Sequence, residues 1–127
     1  MKIVLDTSAL IYWTLDPVKL TAPAAAAIEN ATQIMVSAIS IWEIGLKAKQ
    51  GKLELPLSIH AYVSRLNRLE RVELEAVTVE VWLENLALDW LHRDPADRTI
   101  VATAILAGCA LISSDQTIRE FYQHTIW

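Results

Sequence analysis

Cysteine is nearly absent. Cys109 stands alone among 127 residues, so no internal disulfide can form, and a reducing compartment suits the chain. Flanked by Gly108 and Ala110 in an apolar stretch, that thiol reads as buried and inert. Glycine and proline are scarce, at 3 and 4 residues, and no repeat, low-complexity tract or linker interrupts the chain, which argues against disorder. The longest apolar run, Ile100 to Ile112, falls short of the ~20 residues a membrane-spanning helix needs. Asp6 breaks the apolar start MKIVLDTSALIYW, so it does not read as a secretory signal. Positive charge is also in deficit: 11 Lys and Arg against 15 Asp and Glu leave a net charge of −4, which does not advertise nucleic-acid binding. Histidine offers no constellation, since His60 and His124 are isolated and His92 reads as a surface or packing residue. The expectation is one soluble, cytoplasmic domain spanning residues 1–127.

What is present is apolar material, 54% of the residues, with a mean hydropathy of +0.31. Much of it falls in short runs that read as strands buried on both faces: Lys2 to Leu5, Gln33 to Ser37 and Ala110 to Ser113. Val72 to Val77 alternates as an edge strand would, and Thr125 to Trp127 suits a last strand. Helices fit between them. One runs from Thr7 to about Trp13; Thr21 caps a second, and Ser40 opens a third that ends at Gly51. A fourth opens at Pro56 or Ser58, Thr78 caps a fifth, and Asp94-Pro95-Ala96-Asp97 starts a long apolar helix closed by Gly108. Asp115 leads a short final helix. Strands alternating with helices predict an α/β fold with a mostly parallel central sheet of four to five short strands.

The informative pattern is where the acids fall. Asp6 ends the first strand, Asp115 follows the strand Ala110 to Ser113, Glu43 lies just past Gln33 to Ser37, and Asp97 sits in the first turn of its helix. In an open parallel sheet the strand C-termini and following helix N-termini share one edge, so at least three of these distant residues should converge there, with Asp97 joining them if its helix starts at the same edge. Helix capping competes with that reading. Ser40 to Glu43 spells a capping box, Asp94 to Asp97 reads as N-cap to N3, and Asp6 and Asp115 can each cap the next helix, at ~1 kcal/mol apiece. Yet Ser, Thr or Asn would cap equally well, whereas carboxylates crowded at one edge raise each other's pKa unless a cation intervenes. An all-carboxylate set suits Mg²⁺ or Mn²⁺ rather than zinc, and with it phosphodiester chemistry. Such an ion also reverses the local sign of charge, while Arg93 and Arg98 flank the acids as candidate grips for a substrate phosphate.

Four motifs carry a resemblance: I-V-L-D-T-S-A-L from Ile3, S-x-x-S-I-W-E-I from Ser37 to Ile44, H-R-D-P-A-D-R-x-I-V-A-T-A from His92 to Ala104, and L-I-S-S-D at Leu111 to Asp115. In that order, over residues 3 to about 118, the chain resembles PIN-domain proteins, and more narrowly the VapC-type toxins of bacterial toxin–antitoxin pairs. The resemblance implies a PIN-like fold and a metal-dependent endoribonuclease. Its acidic quartet maps to Asp6, Glu43, Asp97 and Asp115, with Asp6, Asp97 and Asp115 as ligands for Mg²⁺ or Mn²⁺. Ser8 matches a hydroxyl that supports the metal or its water, and Asp94 matches a frequent extra acid. It also implies an RNA substrate, a cognate antitoxin and a homodimer. Ser113-Ser114 stands where the family usually has Thr, a departure that keeps a hydroxyl. Two other readings compete: a catalytically silent partner-binding module, and a metal-dependent phosphatase, which wants D-x-D where this chain has Asp6-Thr7-Ser8. The Trp-rich segments Ile11 to Thr14 and Ile41 to Leu46 are candidate antitoxin contacts.

Overall fold

Each helix of this protein begins on a polar side chain that the sequence supplies at the right place. A computed structural model describes all 127 residues and contains the helices Thr7–Leu15 (α1), Ala22–Asn30 (α2), Ala38–Lys49 (α3), Ile59–Asn67 (α4), Val79–Ala87 (α5), Pro95–Ala107 (α6) and Gln116–Phe121 (α7). Their N-caps are Asp6, Thr21, Ser37, Ser58, Thr78, Asp94 and Asp115, and each accepts a main-chain N–H through its side chain. The strands are Lys2–Leu5 (β1), Gln33–Ser37 (β2), Val72–Glu75 (β3), Ala110–Ile112 (β4) and Thr125–Ile126 (β5). They form one sheet in the order β3-β2-β1-β4-β5, parallel at every pairing, so the expected mostly parallel sheet is wholly parallel.

Side chains alternate across that sheet and find apolar partners on both sides. Ile3 and Leu5 enter a cluster with Leu10, Ile28, Ile34, Ile44 and Leu66, which seats α1 to α4 on one face. Val4 and Met35 point the other way, into Ile100, Val101, Leu111 and Ile118, under α6 and α7. Burial on both faces explains why β1, β2 and β4 read as apolar runs, while the half-buried edge strand β3 alternates. Helix α5 lies outside α6, joined by a 3.0 Å hydrogen bond from Asn85 Nδ2 to Thr99 Oγ1. Gly108 ends α6 at φ 63°, a left-handed conformation open to glycine at little cost, and the chain turns there into β4. No helix is long and apolar enough to cross a membrane.

One expected start is corrected. Helix α3 begins at Ala38 with Ser37 as its cap, three residues before the Ser40 start read from the sequence. The Ser37 hydroxyl accepts from the Ile39 amide at 3.2 Å, which moves Ser40 and Glu43 into the body of the helix and removes the capping box. Of the alternatives for α4, Ser58 is the cap rather than Pro56. Helix α1 continues to Leu15 before Asp16-Pro17 stops it.

Candidate active site

The strand order changes direction between β1 and β4: β2 and β3 extend the sheet one way, β4 and β5 the other. At such a switch point the loops leaving two neighbouring strands diverge and open a crevice at the strand C-termini. Asp6 follows β1 there, and its amide donates to Ile112 O at the end of β4 across 3.1 Å. Its side chain is 3% exposed, and Oδ1 caps α1 by accepting from the Ala9 amide at 2.8 Å. Burial raises its carboxyl to about 6, against the lowering pull of hydrogen bonds from Ser113 and Ala9, and the charges of Asp97 and Asp115 push it further up. Residues far apart in sequence thus feel one another electrostatically at this edge.

Each remaining acid has its own support. Asp115 is exposed and caps α7, with Oδ1 accepting from the Ile118 amide at 3.1 Å. Asp94 is exposed too and caps α6 through the Asp97 amide at 2.9 Å, as N-cap to N3 spacing predicts. Asp97 is half-buried; burial raises its carboxyl, the His92 hydrogen bond lowers it, and Asp94 and Asp115 raise it. Glu43, one turn further into α3 than expected, is raised by burial and by Asp94 and Asp97, while Thr7 and Lys47 hold it down. The capping reading is borne out at both residues: Asp6 and Asp115 each spend one oxygen on a helix start.

Three supporting residues escaped the sequence reading. The Thr7 hydroxyl donates to Glu43 Oε1. A hydroxyl carries one proton, so buried Ser40, 2.9 Å away, donates back to Thr7 Oγ1. The D-T-S string offered two hydroxyls, and Thr7, not Ser8, is the one engaged with an acid; Ser8 lies half-buried in the first turn of α1. His92 is the third, with Nε2 2.7 Å from Asp97 Oδ2, so a bystander role does not describe it.

Arg98 requires a correction. Rather than facing solvent as a phosphate grip, its guanidinium donates to the carbonyls of Asn85 (2.6 Å), Leu88 (3.3 Å), Trp90 (2.6 Å) and His92 (3.0 Å), and to Asn85 Oδ1 (3.2 Å). Asn85 O and Leu88 O also accept the Leu88 and Trp90 amides, whereas Trp90 O and His92 O lie past the helix end, and a planar fork of donors serves all four at once. Arg93, one residue past this clamp, is exposed.

The donor set fits a divalent cation of the hard kind, all carboxylate with hydroxyls nearby and no thiolate among them. No three His, Cys, Asp or Glu side chains are gathered to enclose an ion by themselves. That arrangement fits Mg²⁺, which keeps several of its waters and takes one or two carboxylates directly, better than it fits a dedicated cage. A cleft of about 460 Å³ lies elsewhere, lined by Trp13, Leu15, Leu57, Tyr62 and Leu66 with no acid among its walls.

A wholly parallel α/β sheet with acids at its switch point is the ground plan of a PIN domain, and the PIN domain family model matches residues 3–123: the chain belongs to this family. Within it, the chain is 32% identical to Ribonuclease VapC22 of Mycobacterium tuberculosis over 130 aligned residues, covering 98% of each protein. Solved structures share the fold. A toxin–antitoxin complex from Klebsiella pneumoniae superposes with a TM-score of 0.69 at 20% identity, over 98% of this chain and 96% of that one. VapC20 of Mycobacterium tuberculosis, a sarcin–ricin loop cleaving toxin, gives 0.66 at 16% identity, over 93% of each.

Proposed function

We infer that this chain is a VapC-type PIN ribonuclease, the toxin of a toxin–antitoxin pair, and that it hydrolyses RNA phosphodiesters internally with Mg²⁺ or Mn²⁺ at the acidic edge. The observation that carries the site is Asp6, a carboxylate 3% exposed at the sheet's switch point, raised chiefly by burial and further by the charges of Asp97 and Asp115. Such an arrangement is unfavourable for the protein alone and favourable with a cation between the acids. Asp6, Asp97 and Asp115 would hold the ion, one or two of them directly and the rest through its waters. When bound, Mg²⁺ or Mn²⁺ supplies Lewis acidity, which eases deprotonation of the attacking water and offsets charge growing on the phosphate.

Glu43 stands ready to orient that water, because Thr7 fixes one of its oxygens and leaves the other. Ser8, in the first turn of α1, and Asp94, the N-cap of α6, would support the water or the ion. Arg93 is the exposed cation beside the acids that can meet a substrate phosphate. A reducing cytoplasm suits the lone thiol, Cys109.

Two apolar surfaces suit the partners of such a toxin. The cleft beside Trp13, and a second of about 400 Å³ lined by Ile41, Trp42, Gly45 and Leu46, coincide with the Trp-rich segments, and they are the proposed antitoxin contacts. Val79, Trp82, Leu83 and Leu86 lie exposed on one face of α5 and suit a homodimer.

The test is cleavage of labelled RNA by purified protein with Mn²⁺ and with EDTA. Asp6→Asn keeps the α1 cap oxygen and the circular dichroism spectrum, and it lowers the metal-dependent rate by at least about a hundredfold, the upper end of what disturbing a metal's supporting shell costs. Wild-type cleavage by this variant would remove the proposal.

A further inference from the structure

The segment between α5 and α6 has no regular structure, yet its His92 side chain is held from several directions. Arg98 fixes the backbone by donating to Trp90 O at 2.6 Å and His92 O at 3.0 Å. Behind the imidazole stands the Trp90 ring, 4.8 Å away between centroids, and Trp90 itself stacks on Phe121 of α7 at 4.5 Å and 8°. On its other side His92 Nε2 meets Asp97 Oδ2 at 2.7 Å. Asp97 needs such a partner. Its amide is tied to Asp94 Oδ1, which fixes the backbone, but the last side-chain torsion of an aspartate is broad and roughly two-fold. Nothing else in the protein hydrogen-bonds its carboxylate, so without His92 the two oxygens would exchange freely.

We propose that His92 is a positioning residue for Asp97: its Nε2–H holds Oδ2, fixes the plane of the carboxylate, and leaves Oδ1 as the oxygen offered to the cation. This rests on the reading of Asp97 as an ion ligand. An exposed ion pair would contribute little, but here the side chains are only 25% and 23% exposed and the ring is braced from behind. A neutral imidazole suffices, since with a carboxylate as acceptor it is the Nε2–H tautomer that donates. Supporting hydrogen bonds of this kind typically change metal affinity 10- to 100-fold. The brace also runs through Trp90 and Phe121 into α7, the helix capped by Asp115, so two of the acids share one aromatic support.

The test compares Mn²⁺ affinity by titration calorimetry for wild type, His92→Ala, His92→Gln, His92→Asn and Asp97→Asn, with thermal melts of each in EDTA. Gln carries an N–H the same number of bonds from Cα as histidine Nε2, and Asn ends one bond short. The expected result is affinity roughly 10- to 100-fold weaker in His92→Ala and His92→Asn, recovery to within a few-fold in His92→Gln, and melts that do not follow that order. Unchanged affinity in His92→Ala, with binding lost in Asp97→Asn, overturns the positioning role and leaves the metal centre standing. Equal weakness in the Gln and Ala variants, tracking their melts, overturns it in favour of packing. A wild type that binds no Mn²⁺ overturns the metal centre and this proposal with it.

Discussion

Asp6 gives one oxygen to the Ala9 amide, is held also by Ser113, and lies almost wholly buried within the fields of Asp97 and Asp115. Its folded value, about 6, lies above the ordinary 3.8, so between those two pH values the native state holds a proton that the unfolded chain has released. Stability of the metal-free protein should therefore fall as pH rises from about 4 to about 6 and stay at the lower level above that. Asp6→Asn removes the charge and keeps the cap. In EDTA at pH 7.5 it should stabilise the fold by on the order of 1–3 kcal/mol, and it should flatten the acid limb of a melting-temperature series. A variant that melts below wild type in EDTA at pH 7.5 would contradict the burial argument. Thr7 invites a complementary experiment. Thr7→Val keeps the shape but strips the donor from Glu43 and leaves buried Ser40 without its acceptor, which should cost about 1–3 kcal/mol by denaturant unfolding and reduce RNA cleavage. Thr7→Ser should recover most of both.

Among the elements, the stretch from α5 to the start of α6 best shows how local sequence and tertiary contact divide the work. Asp94-Pro95-Ala96-Asp97 is legible as a helix start because capping depends on residues within one turn of each other. Arg98 follows immediately, and its role was not legible: five acceptors from residues 85 to 92 converge on it only after the chain folds back on itself. The two arginines should separate cleanly in experiment. Arg98→Lys keeps a charge but not the planar fork, so it should destabilise by roughly 2–4 kcal/mol and lower activity through the loosened segment. Arg93→Ala should leave the melt unchanged and raise KM for RNA, with a weaker salt dependence of binding. Helix α3 teaches the opposite lesson. Ser40-Ile41-Trp42-Glu43 has the letters of a capping box, but Ser37, the last residue of the buried strand, captures the helix start first, and Ser40 meets Thr7 instead.

For the molecule as a whole, a sheet apolar on both faces leaves its helices to supply every outer surface. Helix α5 packs on α6, and it exposes Val79 (73%), Trp82 (42%), Leu83 (62%) and Leu86 (77%) while Val81 and Asn85 turn inward. If that face closes a homodimer, Leu83→Glu with Leu86→Glu should raise the dimer dissociation constant at least about a hundredfold, since buried anchors contribute about 2 kcal/mol or more each. Sedimentation velocity reads this directly, and a wild type that is monomeric at all concentrations would count against the dimer.

Sequence alone determined the elements and their order, because apolar runs, N-caps and Gly108 act over a turn or a strand and need no distant partner. It also located the acids, since a strand followed by a carboxylate is a local event in a parallel α/β chain, and the family's motifs carry the same spacing. Tertiary structure decided what those acids touch. Asp6 meeting the fields of Asp97 and Asp115, Thr7 reaching Glu43 across 36 positions, and a tryptophan stacked on Phe121 behind His92 all depend on helices packing against one sheet edge. Hydrogen bonds and Coulomb forces act across a few ångströms of space, and distance along the chain does not report that separation until the core has closed.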